Sequence, residues 1–210
     1  SFVPPLLDKV IDMESDSMQN LVLSDEVLDS ERMVVQEERK LRTDNSPDGR
    51  MQEALWQLAY RLHPYRWPVI GYPEDLASIT TEQLDQWYKA HYQPANAVLV
   101  IVGDFKPDAT MDKIRKHYGP LAARKRPERK IPAEPEQTEE RRLVIRDSTS
   151  SERFAQAYHV TSATQDDSYA LDVLANILFE GTNSRAYRRL VDERDIAIGI
   201  SGSAFTPTYP

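Results

Sequence analysis

The amino-acid sequence predicts an α+β fold, and three observations carry that expectation. Stretches with apolar residues three and four apart fill most of the first half. Residues 97–102 read AVLVIV, an uninterrupted apolar run closed by Gly103 and Asp104, which is the pattern of a central strand covered on both faces. After a proline-rich stretch, strand-like runs at 142–146 and 154–161 precede two helical ones, and another at 196–205 follows them. The expected organisation is the C-terminal part of a first domain over 1–120, a linker over 121–140, and the N-terminal part of a second domain over 141–210.

The elements follow from local signals. Pro4 and Pro5 lead into a helix with Leu6, Leu7, Val10, Ile11 and Met13 on its apolar side, continuing towards Met18 and Leu21. Ser24 caps a second helix running to about Asp44. Ser46 and Pro47 start a third, with Met51, Ala54, Leu55, Leu58, Ala59 and Leu62 on one face, ending before Pro64. Residues 63–75, HPYRWPVIGYPED, form an irregular loop pinned by Tyr65, Trp67 and Tyr72, either walling a site or covering the core. Thr80 and Gln83 make a capping box for a helix to about Tyr92, terminated by Pro94. A short helix over 108–118 precedes the linker, where prolines and alternating charge blocks replace large apolar residues. Beyond it, 167–180 reads as an apolar helix ended by Gly181, and 184–193 as a helix with a polar face.

Composition narrows the function classes. The chain has 210 residues, 40% hydrophobic and 29% charged, with a net charge of −8. Its basic residues cluster only at 124–129, between acidic ones, so no nucleic-acid face is expected. No run approaches the roughly 18 apolar residues of a membrane span. The absence of cysteine excludes disulfides, thiolate zinc sites and a cysteine nucleophile. His63, His91, His117 and His159 are far apart, with no H-x-x-x-H or H-x-x-E-H among them, so a complete zinc site cannot be written within this chain.

The segment SERMVVQEERKLRTDN over 30–45 carries the chemistry. At roughly 100° per residue, Val27, Val34, Val35 and Leu41 fall on one arc of the second helix, with Glu31 and Glu38 in its middle. Glu37, Arg39 and Lys40 point elsewhere. A carboxylate pressed into an apolar interface costs on the order of several kcal/mol unless paired. Either both acids reach water or a neighbouring arginine at the edge of the stripe, or at least one is a metal ligand or supports one.

Four runs, ERMVVQEERKLRTDNSPDG, HPYRWPVIGYPEDL, PANAVLVIVGDF and YALDVLANILFEGTNSRAYRRLVDER, taken in that order, resemble the pitrilysin/insulinase family of zinc metallopeptidases, the inverzincins. The resemblance covers essentially the whole chain. It implies repeated domains of helices packed on a mixed, mostly antiparallel sheet, and a zinc-dependent endopeptidase that cuts peptides or small proteins. In that family two histidines and a catalytic glutamate lie in an H-x-x-E-H helix, and the third zinc ligand is a glutamate in an E-x(6)-E context further on. Glu38 matches that ligand, and Glu31 matches the upstream glutamate that supports the site.

The H-x-x-E-H motif itself is missing and would fall before Ser1. The resemblance then implies a fragment of an active enzyme, inactive alone; the alternative is a non-catalytic partner or scaffold subunit of the same fold. In the second repeat Asp172, Ala175 and Asn176 stand where His, Glu and His would be, so this repeat reads as structural. Val191 and Ile198 stand where partner halves carry a substrate-binding Arg and Tyr, and no such role is assigned to them. The implied partners are a peptide substrate and a second half or subunit, and the implied location is periplasmic or secreted rather than cytoplasmic.

Overall fold

The computed structural model describes residues 2–209, so the outer ends of the two expected domains, at positions 1 and 210, fall outside the described residues. Its elements are set largely by local capping. Pro4–Leu6 forms a 3-10 turn that feeds α1, Leu7–Ser17. The Ser24 hydroxyl accepts the Val27 N–H (3.3 Å) to start α2, Asp25–Arg39, which runs on into a π-helical turn, Lys40–Asp44. The Ser46 hydroxyl accepts the Gly49 N–H (3.1 Å), and Pro47 takes the first position of α3, Pro47–Ala59. A proline again opens α4, Pro73–Ser78. The Thr80/Gln83 box forms in both directions (3.3 and 3.0 Å) at the head of α5, Thr81–His91. Pro107–Tyr118 is α6. Further on lie α7, Asp167–Phe179, and a short α8, Arg185–Tyr187, that continues as a second π-helical turn, Arg188–Asp192.

The expected sheet is not there. Among the described residues no strand is present, and the fold is helical with irregular connections rather than α+β with a mixed sheet. The reason is that an apolar, β-branched run states a preference for burial, whereas a strand exists only with a hydrogen-bonded neighbour. The 97–102 run has none: Val98, Val100 and Val102 are 89%, 74% and 91% exposed. The runs at 142–146, 154–161 and 196–205 likewise form no strand.

The chain divides into two units, Ser1–Ala155 and Gln156–Pro210. In the first, α1 packs on α6, with His117 set between Asp12 (3.0 Å) and Asp8 (3.6 Å). Tyr88 of α5 is buried and reaches the end of α1. The 63–75 loop folds over the end of α3, where Trp56 stacks on Tyr60 (centroids 5.6 Å) and Tyr65 meets Tyr60 edge-on (5.6 Å).

The stretch beyond α6 is irregular yet fastened. The Glu134 carboxylate accepts the backbone N–H groups of Arg61, Leu62 and His63 (2.7, 2.8 and 2.9 Å), and Arg141 caps α3 by donating to the carbonyls of Leu58 and Ala59 (2.9 and 2.8 Å). Burial pushes the Glu134 carboxyl up; the three N–H donors, with Arg141 nearby, outweigh it and hold the group below the ordinary carboxylate value. Gln93 and the side chain of Arg124 fasten 124–125 to the end of α5.

In the second unit Ser184 caps α8 through the Tyr187 N–H (3.4 Å), and Gly181 takes a left-handed φ of 72° just after α7, as a helix-terminating glycine does. No helix among the described residues is long and apolar enough to cross a membrane.

Candidate functional site

Helix α2 is held by two arginines on one face, seven residues apart. Arg32 donates to the carbonyls of Leu76 and Ile79 (2.7 Å for Ile79) at the end of α4. Arg39, only 5% exposed, makes a two-pronged pair with Glu53 of α3 (2.8 and 3.2 Å), donates to the Gly71 carbonyl (2.8 Å) and lies 3.2 Å from Asp44. The Glu53 hydrogen bond raises the Arg39 pKa above its ordinary value, with Asp44 adding to it and burial opposing. Arg39 does point away from the apolar arc, as expected, and that direction is inward: its guanidinium is buried against Glu53 of α3 and the Gly71 carbonyl.

The arc that carries Glu31 and Glu38 is turned the other way. Val27, Val34 and Leu41, expected to pack inward, are 45%, 58% and 77% exposed, and Glu31 between them is exposed as well. The cause is competition for one interface: guanidiniums that satisfy several buried acceptors take the inner face, and residues about 100° round are left outside. Glu38 is half exposed, its side chain 39% accessible, and its ion-pair partner is Arg42, one turn on, at 3.0 Å. Arg42 is itself largely exposed, so this is a surface ion pair, worth about 0–1 kcal/mol.

Just after Glu38 the helix widens. The π-helical turn Lys40–Asp44 lies against α3 at Gly49, where a Cβ would stand 2.2 Å from the Arg42 carbonyl oxygen. Only the absence of a side chain lets the two backbones approach this closely. Arg50 also donates to the Asp44 carbonyl and tethers the end of the turn.

Among the described residues no group of three or more His, Asp or Glu side chains is placed to hold a metal ion. The chain thus presents the carboxylate of Glu38, with that of Glu31 two turns earlier, as oxygen donors on an open helix face. Zinc sites need three or four protein ligands, so these residues suit one corner of such a site. Sequence reading picked out these two acids and missed the Arg32 and Arg39 anchors. The signal was available, because each arginine directly follows one of the glutamates and Glu53 lies on the next helix.

Residues 78–209, more than half of the chain, match the peptidase M16 inactive domain. The chain belongs to the peptidase M16 family. Among M16 relatives, the zinc protease PqqE of Helicobacter pylori is 34% identical over 196 residues, which are 91% of this chain and 44% of that protein. The uncharacterized zinc protease YmfH of Bacillus subtilis is 28% identical over 131 residues, 62% of this chain and 29% of that protein. A solved structure of a protease from Helicobacter pylori superposes with a TM-score of 0.77 at 30% identity, over 93% of this chain and 48% of that one. The ferredoxin protease FusC, solved in complex with Arabidopsis ferredoxin, gives 0.57 at 26% identity, over 63% of this chain and 14% of that one. The chain spans less than half the length of each of these M16 relatives.

Proposed function

We propose that this chain is part of a zinc-dependent endopeptidase, in which Glu38 is one of three protein ligands and Glu31 supports the site from the same helix face. The observation that carries the proposal is the placement of both acids on the open side of a helix whose other side is fixed by buried arginines. The remaining donors, two imidazoles and a general base in an H-x-x-E-H helix, are supplied by sequence outside these residues. They meet the apolar stripe of Val27, Val34 and Leu41, which covers both partners and strengthens the carboxylate's interaction with the ion by excluding water. Zinc held by these groups would supply Lewis-acid polarisation of the scissile carbonyl and activation of the attacking water. Glu38 would hold the ion in place of its pair with Arg42, and Glu31 would orient a ligand or tune the charge of the site from the same face. The substrates are peptides or small proteins. With one ligand and no general base, this chain alone is inactive. The division proposed for the parent is a zinc-site domain ending near residue 120 and a second, non-catalytic repeat beginning near 141.

The test is zinc content and peptidase activity of the complete polypeptide against Glu38→Gln. Loss of the ion and of activity is expected; unchanged metal binding removes Glu38 from the site. A second reading, a non-catalytic partner subunit, draws on the match of 78–209 to an inactive domain and on Asp172, Ala175 and Asn176 in the second repeat. A complete polypeptide that binds no zinc at any stage of purification, and whose activity appears only with a separate subunit, supports that reading instead.

A further inference from the structure

We propose that Arg32 and Arg39 are positioning residues for the carboxylates that precede them, Glu31 and Glu38, and that they act through a cradle of backbone carbonyls at positions 71–79. This rests on the reading of Glu38 as a metal ligand. A helix seated on an apolar stripe can roll by a fraction of a turn at small cost, because dispersion contacts have little direction. Helix α2 is seated differently. Of its apolar arc Val27, Val34 and Leu41 are exposed and Val35 is half-buried, and its inner face is fixed by directional charged forks: Arg32 on the carbonyls of Leu76 and Ile79, Arg39 on the Gly71 carbonyl and on Glu53.

The two forks are two turns apart, so together they define both the roll and the axial position of the helix. Rolling by one residue, about 100°, would strip both guanidiniums from their acceptors and leave buried polar atoms unpaired. Each glutamate sits one position before its arginine, so the direction of each carboxylate is set by where the fork behind it lands. The π-helical turn closed over Gly49 fixes the segment that follows and keeps Arg42 beside Glu38. A lysine in place of either arginine keeps the charge and loses the two-pronged geometry, which makes it a test of position rather than of charge.

The experiment uses the complete polypeptide with the substitutions Arg39→Lys, Arg32→Lys and Glu38→Gln. Zinc affinity is measured by chelator competition, and the visible absorption of the Co2+-loaded protein reports ligand geometry. Both are read at a temperature where far-ultraviolet circular dichroism matches the parent. Each lysine variant is expected to bind zinc on the order of 10–100-fold more weakly and to alter the Co2+ band, while Glu38→Gln loses the band. Unaltered affinity and Co2+ spectrum in both lysine variants, alongside metal loss in Glu38→Gln, overturns the positioning role and leaves the ligand assignment standing. Parent-like metal binding in Glu38→Gln overturns the ligand assignment and this proposal with it. If Arg39→Lys fails to fold, Arg32→Lys decides, its side chain being the less buried of the two.

Discussion

The hydroxyl of Tyr88 donates to the Ser17 carbonyl (2.7 Å) and accepts the Leu21 N–H (3.3 Å), closing the end of α1 onto α5. Tyr88→Phe leaves two backbone groups without that partner in a half-buried place, and is expected to cost about 1–3 kcal/mol, measured by denaturant unfolding. Gly49→Ala forces the Arg42 carbonyl aside from a 2.2 Å approach. Its cost is expected at about 1–3 kcal/mol, together with faster hydrogen exchange at 40–44. At this scale the sequence was half legible. Periodicity put Glu31 and Glu38 on one face with Val27, Val34, Val35 and Leu41, and the structure leaves all but the half-buried Val35 and Glu38 exposed. Which way that face turns was not readable, since it depends on acceptors at Gly71, Leu76 and Ile79, far from α2 in the chain.

At the scale of elements, Thr80→Ala removes one half of a reciprocal cap and is expected to destabilise the first unit by about 1 kcal/mol, read from the unfolding midpoint. The Glu134 clasp adds a dependence on acid. Its folded pKa is depressed, so its contribution is full above the unfolded carboxylate value of ~4.3 and disappears as the pH falls through the lower folded value. Glu134→Gln is expected to lose about 1–2 kcal/mol near neutral pH, and the gap to the parent should close as acid protonates Glu134. Helix starts were legible because Ser24, Ser46 and Thr80 act on N–H groups three residues away. The apolar runs were legible as apolar and not as strands, since pairing is decided by distant neighbours. The clasp was invisible because Glu134 lies among many acids in a proline-rich stretch.

At the scale of the molecule, an unusual share of large apolar side chains faces outward, among them the α2 stripe and the 97–102 run. If the rest of the parent covers α2, Leu41→Asp should change the stability of this chain by no more than about 0.5 kcal/mol and destabilise the complete polypeptide by several times that. Paired unfolding curves of the two forms check it. The fastening of the stretch beyond α6 reaches further. Residues 124–125 are tied to α5, while Glu134, Arg141, Asp147 and Arg153 hold onto α3 and its ends, the last two through Arg50 and Asp48. Trypsin cutting at Arg129 or Lys130 would thus sever the covalent thread without parting what it joins: one particle on a sizing column, two bands on a denaturing gel.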